Sequence, residues 1–155
     1  MFIIFINFVI RIKMKFSTKV RYGLRILLQI AIESQKKDYV QGKAIAKAQK
    51  LSEAYLEQIM IPLKNAGFVK TARGCSGGYA LRKDPSEITV LDLIELFEGP
   101  LVLADCVEDK RSCSQVKTCY THLIWKELSE KFRNAAAEIS ISDIASKKSI
   151  NEYII

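Results

Sequence analysis

The stretch SEAYLEQIMIPLKNAGFVKTARGCSGGYAL, residues 52–81, decides the architecture. Ser52 is placed to cap a helix starting at Glu53, and the apolar spacing carries that helix to Asn65. Pro62 lies inside it and removes a backbone donor, so the last turn should bend or loosen. Gly67 supplies the C-terminal stop. Phe68-Val69-Lys70-Thr71-Ala72 then reads as a strand, Arg73-Gly74-Cys75-Ser76-Gly77-Gly78 as a glycine-rich turn, and Tyr79-Ala80-Leu81 as the returning strand.

Upstream, Leu51-Ser52 makes a tight connection to a short helix over Gly42 to about Lys50. Before it stands a polar break, Ser34-Gln35-Lys36-Lys37-Asp38. A longer first helix, capped by Ser17 and running to about Glu33, carries Val20, Leu24, Leu27, Leu28 and Ala31 as its apolar stripe. Three helices with a short link between the last two, then a hairpin, is the order of a winged helix-turn-helix. The expected fold class is mainly α with a small β-hairpin wing, the head covering residues 14–82.

Downstream, Asp84-Pro85 breaks the chain. Within the connecting segment 83–100, Thr89 and Asp92 form a capping-box-like start to a helix that ends near Gly99-Pro100. Residues 101–121 lack steady periodicity and carry three cysteines. Helical spacing resumes from about His122 to Glu138, with Ile124, Leu128 and Phe132 at i, i+4 and i+8 and Leu123 and Trp125 broadening the face. An apolar helix outside a compact head is expected to pack against its copy in a homodimer. Ser140 and Asp143 cap a last short helix to about 146, and residues 147–155 form a tail.

The whole-chain figures bound the reading. A chain of 155 residues, 49% apolar, suits one domain or a small domain with a dimerising arm. Residues 14–82 carry 13 Lys and Arg against 4 Asp and Glu, and residues 83–155 carry 9 against 13. A basic front half on a mildly acidic back half is the footprint of a polyanion-binding head on a sensor or partner module. The opening run MFIIFINFVI is too short to span a bilayer and lacks the layout of a secretory signal. Residues 1–13 read as a start-site artefact ahead of Met14 or a disordered leader, and the protein as cytoplasmic, nucleoid-associated and without a membrane partner.

On the recognition helix, Ser52, Tyr55, Glu57 and Gln58 are placed to meet base edges in a major groove. Arg73 stands at the entrance to the wing tip, suited to a narrow minor groove. Lys43, with Lys15, Lys19, Arg21, Lys47 and Lys64, can serve phosphates. Glu57 is an acid on the reading helix of a basic head, so it either accepts from cytosine N4 or pairs with a neighbour such as Lys64. The Gly74–Gly78 run precedes a strand and no helix, which excludes a nucleotide-phosphate loop; Cys75 is an exposed bystander there. With one histidine in the chain, nucleophilic catalysis has little to draw on, and no enzyme is expected.

The sharpest constellation is Cys106-x6-Cys113-x5-Cys119-x2-His122. Thiolates and imidazole are ligands for zinc and iron–sulfur centres, and gaps of six and five favour iron–sulfur over the close pairs of zinc knuckles. A zinc-bound or metal-free regulator stays open on spacing alone.

Several segments together resemble the Rrf2 family of bacterial winged-helix regulators: Met14-Lys15-Phe16-Ser17-Thr18-Lys19, Arg21-Tyr22-Gly23-Leu24-Arg25, Tyr55-Leu56-Glu57-Gln58, and Arg73-Gly74-x-x-Gly77-Gly78-Tyr79-x-Leu81. The resemblance covers Met14 to about Ser146. It implies a homodimer with a long dimerisation helix, binding double-stranded DNA at an inverted repeat, with Gly77 and Gly78 part of the DNA-binding wing. Cys119-x2-His122 with Trp125-Lys126-Glu127-Leu128 is similar to the family's iron–sulfur cluster regulators. That likeness implies a [2Fe–2S] cluster on Cys106, Cys113, Cys119 and His122, control of DNA affinity by the cluster, repression as the expected direction, and discrimination between sites by Glu57. The alternative is the nitric-oxide-sensing branch with a [4Fe–4S] cluster, in some members ligated by an Asp; the matching position here is Arg21, which cannot ligate.

Overall fold

In the computed structural model, which describes residues 16–74 and 76–147, seven α-helices and one hairpin follow in the order α1 Thr18–Glu33, α2 Gly42–Gln49, α3 Glu53–Asn65, β1 Val69–Ala72, β2 Gly78–Leu81, α4 Val90–Glu98, α5 Asp105–Glu108, α6 Tyr120–Ala137 and α7 Ile141–Ser146. The expected leader over residues 1–13, the family-like Met14 and Lys15, Cys75 and the tail beyond 147 lie outside the described residues.

Local signals end the helices where the sequence placed them. Ser17, Ser52, Thr89 and Ser140 each accept a backbone N–H three residues on, and Asp92 and Asp143 complete reciprocal capping boxes. At the end of α3 the Gly67 N–H bonds to Lys64 O at 3.0 Å and the Phe68 N–H to Leu63 O at 3.0 Å, the paired bonds of a Schellman stop. The last turn of α3 is not loosened by Pro62: the Ala66 N–H still bonds to Pro62 O at 2.9 Å.

The turn between α2 and α3 is closed in the same way, by Leu51 N–H on Ala46 O at 2.9 Å, but its left-handed residue is Lys50, at φ 55° and ψ 46°. A side chain in that region costs roughly 1 kcal/mol that glycine avoids. Lys50→Gly is therefore expected to stabilise the protein by about 0.5–1 kcal/mol, read as a rise in thermal midpoint of roughly 2–4 °C. An unchanged or lower midpoint would mean that the Lys50 side chain makes contacts that offset its backbone strain.

α1 is buried on more than the single stripe expected from spacing. Ile26 and Ile30 are as buried as Leu27, whereas Leu24 and Leu28 are half-covered. The reason is that α1 sits at the centre, packed by α2, α3, α4, α7 and β2. The shared core takes Ile45 from α2, Leu56, Ile59, Met60 and Leu63 from α3, and Val69 from β1. It continues past residue 82 through Ile88, Leu93 and Ile141. α7 returns to α1, held by Val90 N–H on Ile139 O at 2.8 Å and Ile141 N–H on Ile88 O at 2.9 Å.

β1 and β2 pair antiparallel, Val69 opposite Leu81 through Ala72 opposite Gly78, with the turn closed by Gly77 N–H on Gly74 O at 3.0 Å. Val40, in the link before α2, adds to the free edge of β2 by exchanging both backbone bonds with Tyr79, at 2.8 and 2.9 Å. The wing is thus tied into the head as well as to itself. Among the described residues no helix is long and apolar enough to cross a membrane.

Candidate DNA interface and metal centre

The α3 residues singled out above have unequal roles. The Ser52 hydroxyl is committed to the helix cap, accepting from Tyr55 N–H at 3.2 Å. Tyr55 is half-buried, its ring edge-on to Tyr22 of α1 with centroids 6.0 Å apart, so it anchors α3 to α1. Gln58 is exposed on α3, and Lys43 on α2. Glu57 is exposed but not unpartnered: its Oε1 accepts from the Tyr79 hydroxyl at 2.5 Å, so its partner is the wing tyrosine rather than Lys64. Burial first, and then the Glu57 carboxylate, hold the Tyr79 phenol protonated well above its ordinary range.

Arg73 is exposed where β1 enters the turn. Gly77 and Gly78 are required there by sterics. A Cβ on Gly77 would lie 2.3 Å from Ala72 O, and one on Gly78 2.3 Å from Val40 O. The first glycine lets the turn fold onto β1, and the second lets Val40 join the hairpin.

The cysteine segment is more ordered than its lack of periodicity suggested. Asp105–Glu108 forms a single helical turn, and Lys110–Ser112 a 3-10 turn capped by Asp109, which accepts Arg111 N–H at 2.9 Å and pairs with its guanidinium at 3.1 Å. α6 starts two residues earlier than expected, so His122 lies inside its first turn and Cys119 is the residue before the helix.

Cys106 and His122 are brought together, Sγ to Nδ1 at 3.5 Å, with His122 buried and Cys106 half-buried. Cys119 borders a hollow of about 310 Å³ that His122 also lines. Its Sγ lies 3.1 Å from the Thr121 hydroxyl; that contact, then the His122 backbone N–H, pulls the thiol below its ordinary value. Cys113 is exposed at the end of the 3-10 turn. Two ligands on one tetrahedral metal, at bond lengths of about 2.3 Å to sulfur and 2.1 Å to nitrogen, stand about 3.6 Å apart, so the Cys106–His122 pair fits one metal. Among the described residues no three His, Cys, Asp or Glu side chains stand close enough to hold an ion together. The structure therefore joins Cys106 to His122, and no third ligand completes a group with them among the described residues.

Two tertiary links had no signal in the spacing. Ser129, buried on α6, accepts Leu103 N–H at 3.0 Å and donates to Trp125 O at 2.7 Å, fixing the start of the cysteine segment to α6. Arg133 of α6 pairs with Glu95 of α4. Along α6, Tyr120, Leu123, Ile124, Trp125, Leu128 and Phe132 are all exposed, Leu123 by 65% and Ile124 by 54%. The helix also carries the i,i+4 pairs Lys126–Glu130 and Glu127–Lys131, at 3.8 and 2.7 Å.

A family model described as Rrf2, iron-dependent transcriptional regulator, matches residues 16–147. The chain is 36% identical over 137 residues to the HTH-type transcriptional regulator CymR of Bacillus subtilis, covering 86% of this chain and 91% of that one. It is 31% identical over 137 residues to the HTH-type transcriptional regulator IscR of Photorhabdus laumondii, covering 88% and 82%. Among solved structures, that titled as CymR, the global cysteine regulator of B. subtilis, superposes with a TM-score of 0.71 at 36% identity over 86% of this chain and 97% of that one. The structure of T. potens IscR superposes with a TM-score of 0.69 at 31% identity, covering 92% and 93%.

Proposed function

We propose, from the premise that this chain belongs to the Rrf2 family of DNA-binding transcriptional regulators, that it acts on its operator as a homodimer whose affinity is set by an iron–sulfur cluster. The observation that carries this reading is the pairing of Cys106 with the chain's one histidine, His122, at the root of the helix whose apolar face is uncovered.

The residues that would hold the cluster are Cys106, Cys113, Cys119 and His122, and the 3.5 Å approach of Cys106 Sγ to His122 Nδ1 supports the first and last of these as a pair. When bound, a [2Fe–2S] cluster supplies a redox-responsive cross-link whose stability depends on oxidants and on cluster supply. The chain's own residues do the rest. His122 and Ser129 tie the segment 101–121 to α6, Arg133 ties α6 to Glu95 of α4, and α4 packs on α1, against which α3 lies. Any change in the order of the segment at the root of α6 thus has a contiguous path to the reading helix. DNA affinity shifts only by the difference in stability that the segment confers on the two placements of the heads.

On DNA, Gln58 and Glu57 face base edges, with Tyr55 and Ser52 setting the helix that presents them. Arg73 at the wing reads a narrow minor groove, Gly77 and Gly78 let the wing backbone approach, and Lys43 contacts phosphate. The homodimer sets two heads on an inverted repeat.

A second reading, a metal-free winged-helix regulator, is favoured by the 36% identity to the B. subtilis protein titled a global cysteine regulator. One experiment separates the readings. Protein purified without oxygen is expected to be coloured, with about two irons and two acid-labile sulfides per chain. Cys106→Ala and His122→Ala should each lose most of that iron. About four irons per chain would select the [4Fe–4S] alternative. Stoichiometric zinc, or no metal at all with DNA binding intact, would overturn the cluster reading.

A further inference from the structure

The Tyr79 side chain joins the wing to Glu57, one of the two acids of the reading helix. Its backbone is fixed twice, by pairing with Thr71 across the hairpin and by both bonds to Val40. Its ring lies over the start of α2, so close that a Cβ on Gly42 would stand 3.2 Å from it. Its hydroxyl then reaches across to α3 and donates to one carboxylate oxygen of Glu57 at 2.5 Å.

A glutamate at an exposed helix position ordinarily samples several rotamers. Here one oxygen is held by a phenol whose own backbone and ring have little freedom, and the second oxygen is left to accept from a base edge. We propose that Tyr79 is a positioning residue for DNA specificity: it fixes the Glu57 carboxylate, so that the seating of the wing decides where the acid stands in the groove. This rests on the reading of Glu57 as a contact to bases.

The geometry has a direct consequence. Where the base facing Glu57 offers an amino donor, as cytosine N4 does, the held carboxylate accepts from it without reorganising. Where the base offers only acceptors, a held carboxylate cannot turn away, and the site is rejected. Freed from Tyr79, the same glutamate can swing toward solvent and tolerate such sites. Loss of the hydroxyl is therefore expected to relax specificity rather than to abolish binding.

The test compares full-length wild type, Tyr79→Phe, Glu57→Ala and the double variant, all prepared anaerobically. Each is used to select from a random double-stranded DNA pool at fixed salt, and affinities are then measured on sites that differ at the position opposite Glu57. Tyr79→Phe keeps the ring over Gly42 and removes only the hydroxyl. It is expected to compress the discrimination between preferred and rejected bases about fivefold, with general affinity for unrelated DNA unchanged. The same substitution made on Glu57→Ala should change nothing further. As a readout that a purely structural role would not move, the Tyr79 ring-carbon resonance next to the hydroxyl should shift in Glu57→Ala. Identical profiles for wild type and Glu57→Ala would overturn the reading of Glu57, and this proposal with it. A changed Glu57→Ala profile beside an unchanged Tyr79→Phe profile would overturn this proposal alone, as would a Tyr79→Phe effect that persists without Glu57.

Discussion

Changing Ile124 and Phe132 together to glutamate is expected to convert the proposed homodimer into a monomer and to remove tight operator binding. Both side chains are about half exposed, at 54% and 44%, and with Leu128 they lie at i, i+4 and i+8 on α6. Fully burying side chains of this size is worth about 1.5–3 kcal/mol each. Two-fold symmetry counts each substitution twice, and each new carboxylate would be buried among apolar side chains with no partner for its charge. The dimer dissociation constant should rise at least about a hundredfold, since each ~1.4 kcal/mol is a factor of ten. Sedimentation or light scattering reads this directly. Far-UV circular dichroism should stay unchanged, because neither side chain belongs to the buried core. A wild-type monomer, or a dimer that survives both substitutions, would remove the helix from the interface.

The second large effect is expected at the wing. In Gly77→Ala the new Cβ would sit 2.3 Å from Ala72 O and 2.8 Å from the Arg73 carbonyl carbon, both rigid backbone atoms of the same hairpin. No rotamer relieves such a clash, so the turn must open. The expected cost is about 2–3 kcal/mol, a fall in thermal midpoint of roughly 5–10 °C, together with weaker DNA binding as Arg73 moves. Gly74→Ala supplies the comparison. It meets nothing within 4 Å, and its burden is only the backbone angle φ 102°, so its cost should be nearer ~1 kcal/mol. Equal midpoints for the two variants would show that the turn adjusts freely and that contact distance at Gly77 carries no penalty.

Much of the head was legible because its signals are short in sequence. Caps act over three residues, as at Ser17, Ser52, Thr89 and Ser140. The Schellman stop at Gly67 and the turn closed by Gly74 and Gly77 act over five or fewer. From these and the apolar spacing the helix–hairpin order followed, and with it the winged-helix class. The limits of such reading show at α1, where a one-stripe pattern missed Ile26 and Ile30, and at Pro62, whose turn stays closed.

The site was legible only as a set of candidate residue types. Composition and spacing marked three cysteines and a histidine, an acid on the reading helix and a glycine-rich wing, because each of those chemistries stands out in a line of letters. The meetings between them belong to the tertiary structure. Cys106 reaches His122 across 16 residues, Tyr79 reaches Glu57 across 22, Leu103 reaches Ser129 across 26, and Glu95 reaches Arg133 across 38. No local propensity encodes such a contact; it exists because α1 gathers α2, α3, α4, β2 and α7 around one core, and the path of the chain around that core decides which distant side chains arrive within hydrogen-bonding reach.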